Sequence, residues 1–217
     1  MRLVVLISGS GTNLQAIIDA IGSGSLPAEL AAVVSNRPDA FGLERARQAK
    51  IPALCLDHKT FSDRSMYDQA LVDLIKPYQP DLIVLAGFMR ILTPTFIDAF
   101  SPTIINIHPS LLPDYRGLHT HQRVLDAKES EHGCTVHTVT AGLDDGPILG
   151  QARLNVNPEE SASQLAERVH ALEHQLYPAI ITAIAQNRIS LKEPPGEYFL
   201  RFAASADLRL LPVSGPS

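Results

Sequence analysis

Asn106 and His108 stand two residues apart in Ile104-Ile-Asn-Ile-His-Pro, and an amide and an imidazole at that spacing can act on one reacting group. Ile104, Ile105 and Ile107 are β-branched, which predicts a buried strand. Side chains at i and i+2 of a strand point to one face, so the two polar groups sit side by side. Pro109 and Pro113 then end the strand and stiffen the loop that leaves it. The pair is therefore presented at a strand's carboxyl end, where ligands bind in open α/β sheets. Taken alone, an Asn-x-His is equally a satisfied core pair, the Asn bonded to backbone and the His to a loop carbonyl.

Three further groups carry chemical potential. Ser8-Gly9-Ser10-Gly11-Thr12-Asn13 joins an apolar strand to a helix-periodic run. Strand, glycine turn and helix together aim backbone N–H groups and a positive helix end at an anion. Leu14 stands where a dinucleotide-binding turn has its third glycine, and no Lys follows the glycines as a Walker loop requires. A small phosphate monoester is the preferred reading; the alternative is a tight turn that needs glycine for backbone reasons. Glu173 falls within about 40° of Ala166, Val169, Tyr177, Ile180 and Ile184 on a helical wheel. A carboxylate on that apolar stripe needs a cation or several donors, supplied either by an internal partner such as an Arg or by a ligand's amine or hydroxyl. Asp144, in Leu143-Asp-Asp-Gly-Pro, is a turn-former by type, but beside a histidine it would stabilise an imidazolium.

Metal chemistry is weakly supported. His170-x-x-Glu173-His174 spells an inverted zinc-protease pattern, but the only glutamates downstream, Glu193 and Glu197, lie beside a Pro-rich tail. His119-x-His121 is a second bare pair. No metal is expected.

These groups need a scaffold that brings strand ends together. Leu3 to Ile7, Leu30 to Val34, Ala53 to Leu56, Asp81 to Ala86 and the Asn106–His108 stretch read as five strands. Helical patterns alternate with them, one capped by Ser62 or Asp63 and another opened by Thr93-Pro94. Such alternation predicts an α/β, doubly wound parallel sheet with right-handed crossovers. Cys134 to Thr140 and Gly150 to Val156 read as strands added antiparallel at the far edge. A long helix from Glu159 follows, carrying Ala162, Ala166, Val169, Leu176, Ile180 and Ile184 on one stripe, and Pro178 should kink it or break it in two. Residues 1–192 form one domain on this reading, and 193–217 a C-terminal tail, draped or disordered.

Composition narrows the class. With 217 residues, 45% hydrophobic, the chain can bury a substantial core. A net charge of −5 without a basic block argues against nucleic-acid binding. The two cysteines, Cys55 and Cys134, lie in apolar runs and read as buried, reduced thiols. Neither a signal peptide nor a membrane-length apolar run is evident, so a cytoplasmic protein is expected.

Several spaced motifs, Ile-Ser-Gly-Ser-Gly-Thr-Asn-Leu-Gln at 7–15, Leu-Ala-Gly-Phe-Met-Arg-Ile-Leu at 85–92 and Asn-Ile-His-Pro-Ser-Leu-Leu-Pro at 106–113, together resemble the phosphoribosylglycinamide formyltransferase family. Leu-Asp-Asp-Gly-Pro-Ile at 143–148 and Glu173-His174 belong to the same pattern, and the resemblance runs from Met1 to about Leu191. It implies a Rossmann-like, mostly parallel sheet with helices on both faces, the formyltransferase fold. It also implies formyl transfer from 10-formyltetrahydrofolate, as co-substrate and without a metal, to glycinamide ribonucleotide in purine biosynthesis. Asn106, His108 and Asp144 match the family's catalytic three. Gly11, Thr12, Asn13 and Glu173 would hold the ribonucleotide. Arg64, Met89, Arg90, Ile91, Leu92, Asn106, Thr140, Ala141, Gly142, Leu143 and Asp144 would bind the folate, with Arg64 reaching its glutamate end. Partners would be small molecules, with no nucleic acid and no membrane, and the chain a monomer or weak homodimer.

Asp114 and Arg116 depart from the expected pattern, Arg116 giving Ser-Leu-Leu-Pro-x-x-Arg-Gly, a form of the methionyl-tRNA branch. A methionyl-tRNA formyltransferase would carry a further RNA-binding domain, and a formyltetrahydrofolate hydrolase an N-terminal regulatory domain; neither is expected here. A binding module that had lost catalysis would not need the intact Asn106, His108 and Asp144.

Overall fold

The computed structural model describes residues 1–191, together with 198–200 and 210–212. Seven strands form one sheet: β1 (Arg2–Ile7), β2 (Glu29–Ser35), β3 (Ala53–Cys55), β4 (Leu82–Leu85), β5 (Ile104–His108), β6 (Glu131–Thr138) and β7 (Ile148–Asn155). Their order is β3-β2-β1-β4-β5-β6-β7. The first five run parallel, and β6 and β7 add antiparallel beyond β5. The strand order reverses between β1 and β4, and a crevice opens there at the carboxyl ends.

Alternation along the parallel strands divides their apolar residues between two cores. Leu3, Val5 and Ile7 of β1 face one cluster with α1 (Thr12–Gly22), α2 (Gly42–Gln48), α5 (Thr120–Asp126) and α6 (Ala162–Ala185). Val4 and Leu6 face the other, with α3 (Arg64–Ile75) and α4 (Pro94–Phe100). Helices thus cover both faces, as parallel strands require. Asp63 caps α3 by accepting the Met66 N–H at 2.9 Å. Ser161 and Gln164 form a reciprocal capping box on α6.

Two expectations are corrected. Pro178 does not break α6 in two: the helix runs unbroken from Ala162 to Ala185. Pro178 is itself buried in a long packed face, and the burial of its neighbours outweighs one missing N–H. On the expected stripe Val169, Leu176 and Ile180 are fully buried, while Ala162, Ala166 and Ile184 are only half-buried. Cys55 is exposed, unlike Cys134, because β3 is the sheet's edge strand. The expectation for 193–217 falls mostly outside the described residues; of that stretch, Tyr198–Leu200 and Leu210–Pro212 are described and pair as a two-stranded antiparallel ribbon.

Candidate active site

The C-terminal end of β5 carries Asn106 and His108, and register does the rest. Asn106 lies opposite His137 of β6. The Asn106 Nδ2 is 3.2 Å from His137 Nε2, and His137 Nδ1 is 2.9 Å from the Thr138 carbonyl. Burial lowers the pKa of His137, so it is neutral at neutral pH. Its Nδ1–H then donates to Thr138, and its Nε2 lone pair accepts one N–H of the Asn106 amide. That bond orients the amide and leaves its other N–H available. His137 was not singled out from the sequence; only the β5–β6 register reveals it.

Asp144 sits in the loop after β6, in left-handed backbone at φ 47°, a region that Asp tolerates better than most residues. Gly146 lets this loop close, since a Cβ there would strike the Thr138 carbonyl. The Asp144 Oδ2 accepts the Gly117 N–H at 3.0 Å and lies 3.4 Å from His108 Nδ1. Its Oδ1 is 3.8 Å from His137 Nε2, but a neutral His137 offers no proton there, so His108 is the partner. The other His108 nitrogen, Nε2, donates to the Tyr115 carbonyl at 3.0 Å. Both ring nitrogens thus face acceptors. Asp145, one residue on, pairs instead with Arg116 on the surface. That ion pair gives Arg116 a structural partner and ties the 114–117 loop to the Asp144 loop.

At the other end of the crevice, Gly11 precedes α1 in left-handed backbone at φ 70°, and a Cβ there would meet the Gly42 backbone at 2.7 Å. Glycine is therefore needed sterically, and α1 begins without a side-chain cap, so the first-turn N–H groups of Thr12 and Asn13 have no side-chain acceptor at the N-cap. Arg45, absent from the sequence reading, adds charge by donating to the Ser10 carbonyl at 2.8 Å and to Gln15 at 3.1 Å.

Glu173 is 4% exposed. Its internal partner is no cation: Asn13 Nδ2 donates to its Oε2 at 2.8 Å, while Asn13 Oδ1 is buried without a partner. Burial raises the Glu173 pKa, partly opposed by the Asn13 bond and the nearby His170. One turn on, the Tyr177 hydroxyl donates to the Leu85 and Ile105 carbonyls and pins α6 beneath the sheet.

Residues 89–92 leave the end of β4, next to β5, and residues 140–144 leave the end of β6, on β5's other side. Met89, Ile91 and Leu143 expose large apolar side chains there, surface of the kind that marks a ligand site. Leu92 is buried, and the Arg90 guanidinium lies 4.5 Å from the centre of the Tyr67 ring. Arg64 donates to the Ile91 carbonyl at 3.1 Å. His121 is engaged with His132 at 3.0 Å, and among the described residues no group of three or more His, Cys, Asp or Glu side chains could hold a metal.

An amide, a carboxylate-backed histidine and an uncapped glycine turn thus lie at strand ends of one doubly wound sheet. The sequence model of the formyl transferase family matches residues 1–181, and the chain belongs to that family. Within it, the chain is 46% identical over 214 residues to the phosphoribosylglycinamide formyltransferase of Haemophilus influenzae, covering 99% of this chain and 97% of that one. It is 48% identical over 193 residues to the Escherichia coli enzyme of the same name, covering 89% and 91% of the two chains. The crystal structure of glycinamide ribonucleotide transformylase 1 from Symbiobacterium toebii superposes with a TM-score of 0.87 at 42% identity, covering 98% and 94%. That of the phosphoribosylglycinamide formyltransferase from Coxiella burnetii gives 0.84 at 52% identity, covering 87% and 89%. The chain is thus an enzyme, and its branch is that of the phosphoribosylglycinamide formyltransferases. Among the described residues no helix is long and apolar enough to cross a membrane.

Proposed function

We propose that this chain, as a cytoplasmic enzyme of purine biosynthesis, transfers the formyl group of 10-formyltetrahydrofolate to the amine of glycinamide ribonucleotide. The observation that carries the reading is the joining of Asn106 and the Asp144-backed His108 at one end of the crevice to an uncapped glycine turn at the other. The nucleotide phosphate binds the N–H groups of Gly11, Thr12 and Asn13. Glu173, with Asn13, receives the rest of the nucleotide through its donors. Residues 89–92 and 140–144 receive the folate, and Arg64 its acidic end.

The chemistry needs no protein nucleophile. The substrate amine attacks the formyl carbon, and the carbonyl π electrons move to oxygen. The free N–H of Asn106 and a proton of His108 stabilise that oxyanion, His108 exchanging its bond to Tyr115 for the new acceptor. Asp144 keeps the imidazolium charged and oriented. Collapse of the tetrahedral centre breaks the bond to the folate nitrogen, which takes the proton lost by the amine, through His108 or a water.

The test is an assay with purified protein, formyl-folate, and the nucleotide either present or omitted. Consumption of formyl-folate that requires the nucleotide and yields its formylated product is expected. Consumption indifferent to the nucleotide would make the chain a hydrolase.

A further inference from the structure

The backbone of the loop between β4 and α4 is held by three side chains, one from the turn after β1 and two from α3. At its start, the Met89 N–H donates to Ser8 Oγ at 2.8 Å. In its middle, Arg64 donates to the Ile91 carbonyl at 3.1 Å, and at its end the Thr93 N–H donates to Asp68 Oδ2 at 2.6 Å. Two of these groups are buried, Ser8 at 4% exposure and Asp68 at 1%.

Neither is explained by the element it belongs to. Ser8 precedes the glycine turn, yet its hydroxyl reaches across the switch point to the β4 loop. A serine hydroxyl has one proton, and Ser8 spends it on Asn36 Oδ1 at 2.6 Å, which leaves the oxygen to accept from Met89. Asn36, at the end of β2, is 2% exposed and is held in turn by His58, whose Nδ1 lies 2.8 Å from the Asn36 carbonyl. Asp68 lies on the face of α3 that also buries Tyr67, Leu71 and Val72. A carboxylate there is costly where an apolar side chain would fill the space, and what it secures is the Thr93 N–H.

We propose that Ser8 and Asp68 are positioning residues for the formyl-folate: from opposite ends they set the backbone of 89–93 that receives it, without touching it themselves. The proposal rests on the assignment of that loop to the folate. It has a consequence for the crevice as a whole. The residue that opens the nucleotide's turn governs, through its side chain, the site of the other substrate.

The experiment measures both KM values and the melting temperature of the full chain carrying Ser8→Ala, Asp68→Leu or Asp68→Asn. Ser8→Ala and Asp68→Leu are each expected to raise the formyl-folate KM about tenfold, the factor that about 1.4 kcal/mol represents, with the nucleotide KM within about twofold of wild type. Asp68→Asn keeps an acceptor oxygen for Thr93 and should restore the folate KM. Should Asp68→Leu not fold, Ser8→Ala, which removes a single oxygen, carries the test. Equal rises in both KM values, or a fall in melting temperature with both unchanged, would make the residues merely structural and overturn the proposal. So would a rise in the nucleotide KM alone. Calorimetric binding of 10-formyltetrahydrofolate separates the two levels. Wild type that binds no folate refutes the loop's assignment; wild type that binds it no better than Ser8→Ala refutes the clamp alone.

Discussion

The two ends of the crevice are made of different materials. The nucleotide end is largely main chain: a left-handed glycine, an uncapped helix start and the N–H groups of residues 11–13. The proposed catalytic end is a network of side chains, Asn106 on His137 and Asp144 on His108, anchored to main chain at the Gly117 N–H and the Tyr115 carbonyl. Main-chain donors come with the fold and bind charge without regard to which side chains stand nearby. A developing oxyanion needs donors aimed at one point, and that aim depends on each partner in the network. Substitutions at the first end should therefore act on KM, and at the second on kcat.

The largest effect is expected from Asn106→Ala, which deletes an oxyanion donor: kcat should fall on the order of 10²–10³, about 3–4 kcal/mol, with both KM values within a few-fold. Steady-state kinetics with each substrate varied in turn checks this, and a dominant KM effect would erase the contrast between the two ends. Glu173→Gln sharpens the other side. Gln keeps an oxygen to accept from Asn13 but removes the buried charge, whose cost is evident in the raised pKa of Glu173. The nucleotide KM should rise about tenfold, roughly 1.4 kcal/mol, while the melting temperature holds or increases. A lower melting temperature with unchanged KM would mean that the carboxylate serves Asn13 alone.

The smallest effect concerns stability against pH. Burial, with the charge of His121 second, pushes the pKa of His132 down to about 4 from 6.5. The unfolded chain therefore takes up a proton that the folded chain refuses. The stabilisation is complete above pH 6.5 and is lost as pH falls toward 4. Melting temperature should drop between pH 7 and 5, and His132→Gln should flatten part of that slope. His121, His137 and His174 are lowered in the same direction and add to it.

Much of this architecture is legible one strand at a time. Asn106 and His108 share a face because of period 2 alone, and Glu173 stands out because a helical wheel surrounds it with apolar residues. What depends on register or on position within the sheet is not legible in that way. His137 emerges only when β6 is laid against β5, and the Cys55 thiol is exposed only because β3 lies at an edge. Ser8 reads as part of a phosphate turn until β4 is placed beside β1 and its hydroxyl is found on Met89. Pro178 is a related case: local propensity predicts a kink or a break, and packing along the whole of α6 rules out the break. Family resemblance supplies the substrates, which no spacing of residues could name.

The central claim is that His108 works through the carboxylate of Asp144 and not through the identical group beside it. The Asp144 side chain is 12% exposed beside His108, whereas Asp145 meets Arg116 with half its side chain in solvent. Asn suits the left-handed backbone at 144 as well as Asp does, so Asp144→Asn changes charge and little else. The measurement is kcat for Asp144→Asn and Asp145→Asn under identical, saturating conditions. A loss on the order of 10²–10³ is predicted for the first. The second breaks only an exposed ion pair, worth at most about 1 kcal/mol in stability, and should leave kcat within a few-fold of wild type. An active Asp144→Asn enzyme beside an inactive Asp145→Asn one would contradict the account, and so would two active ones.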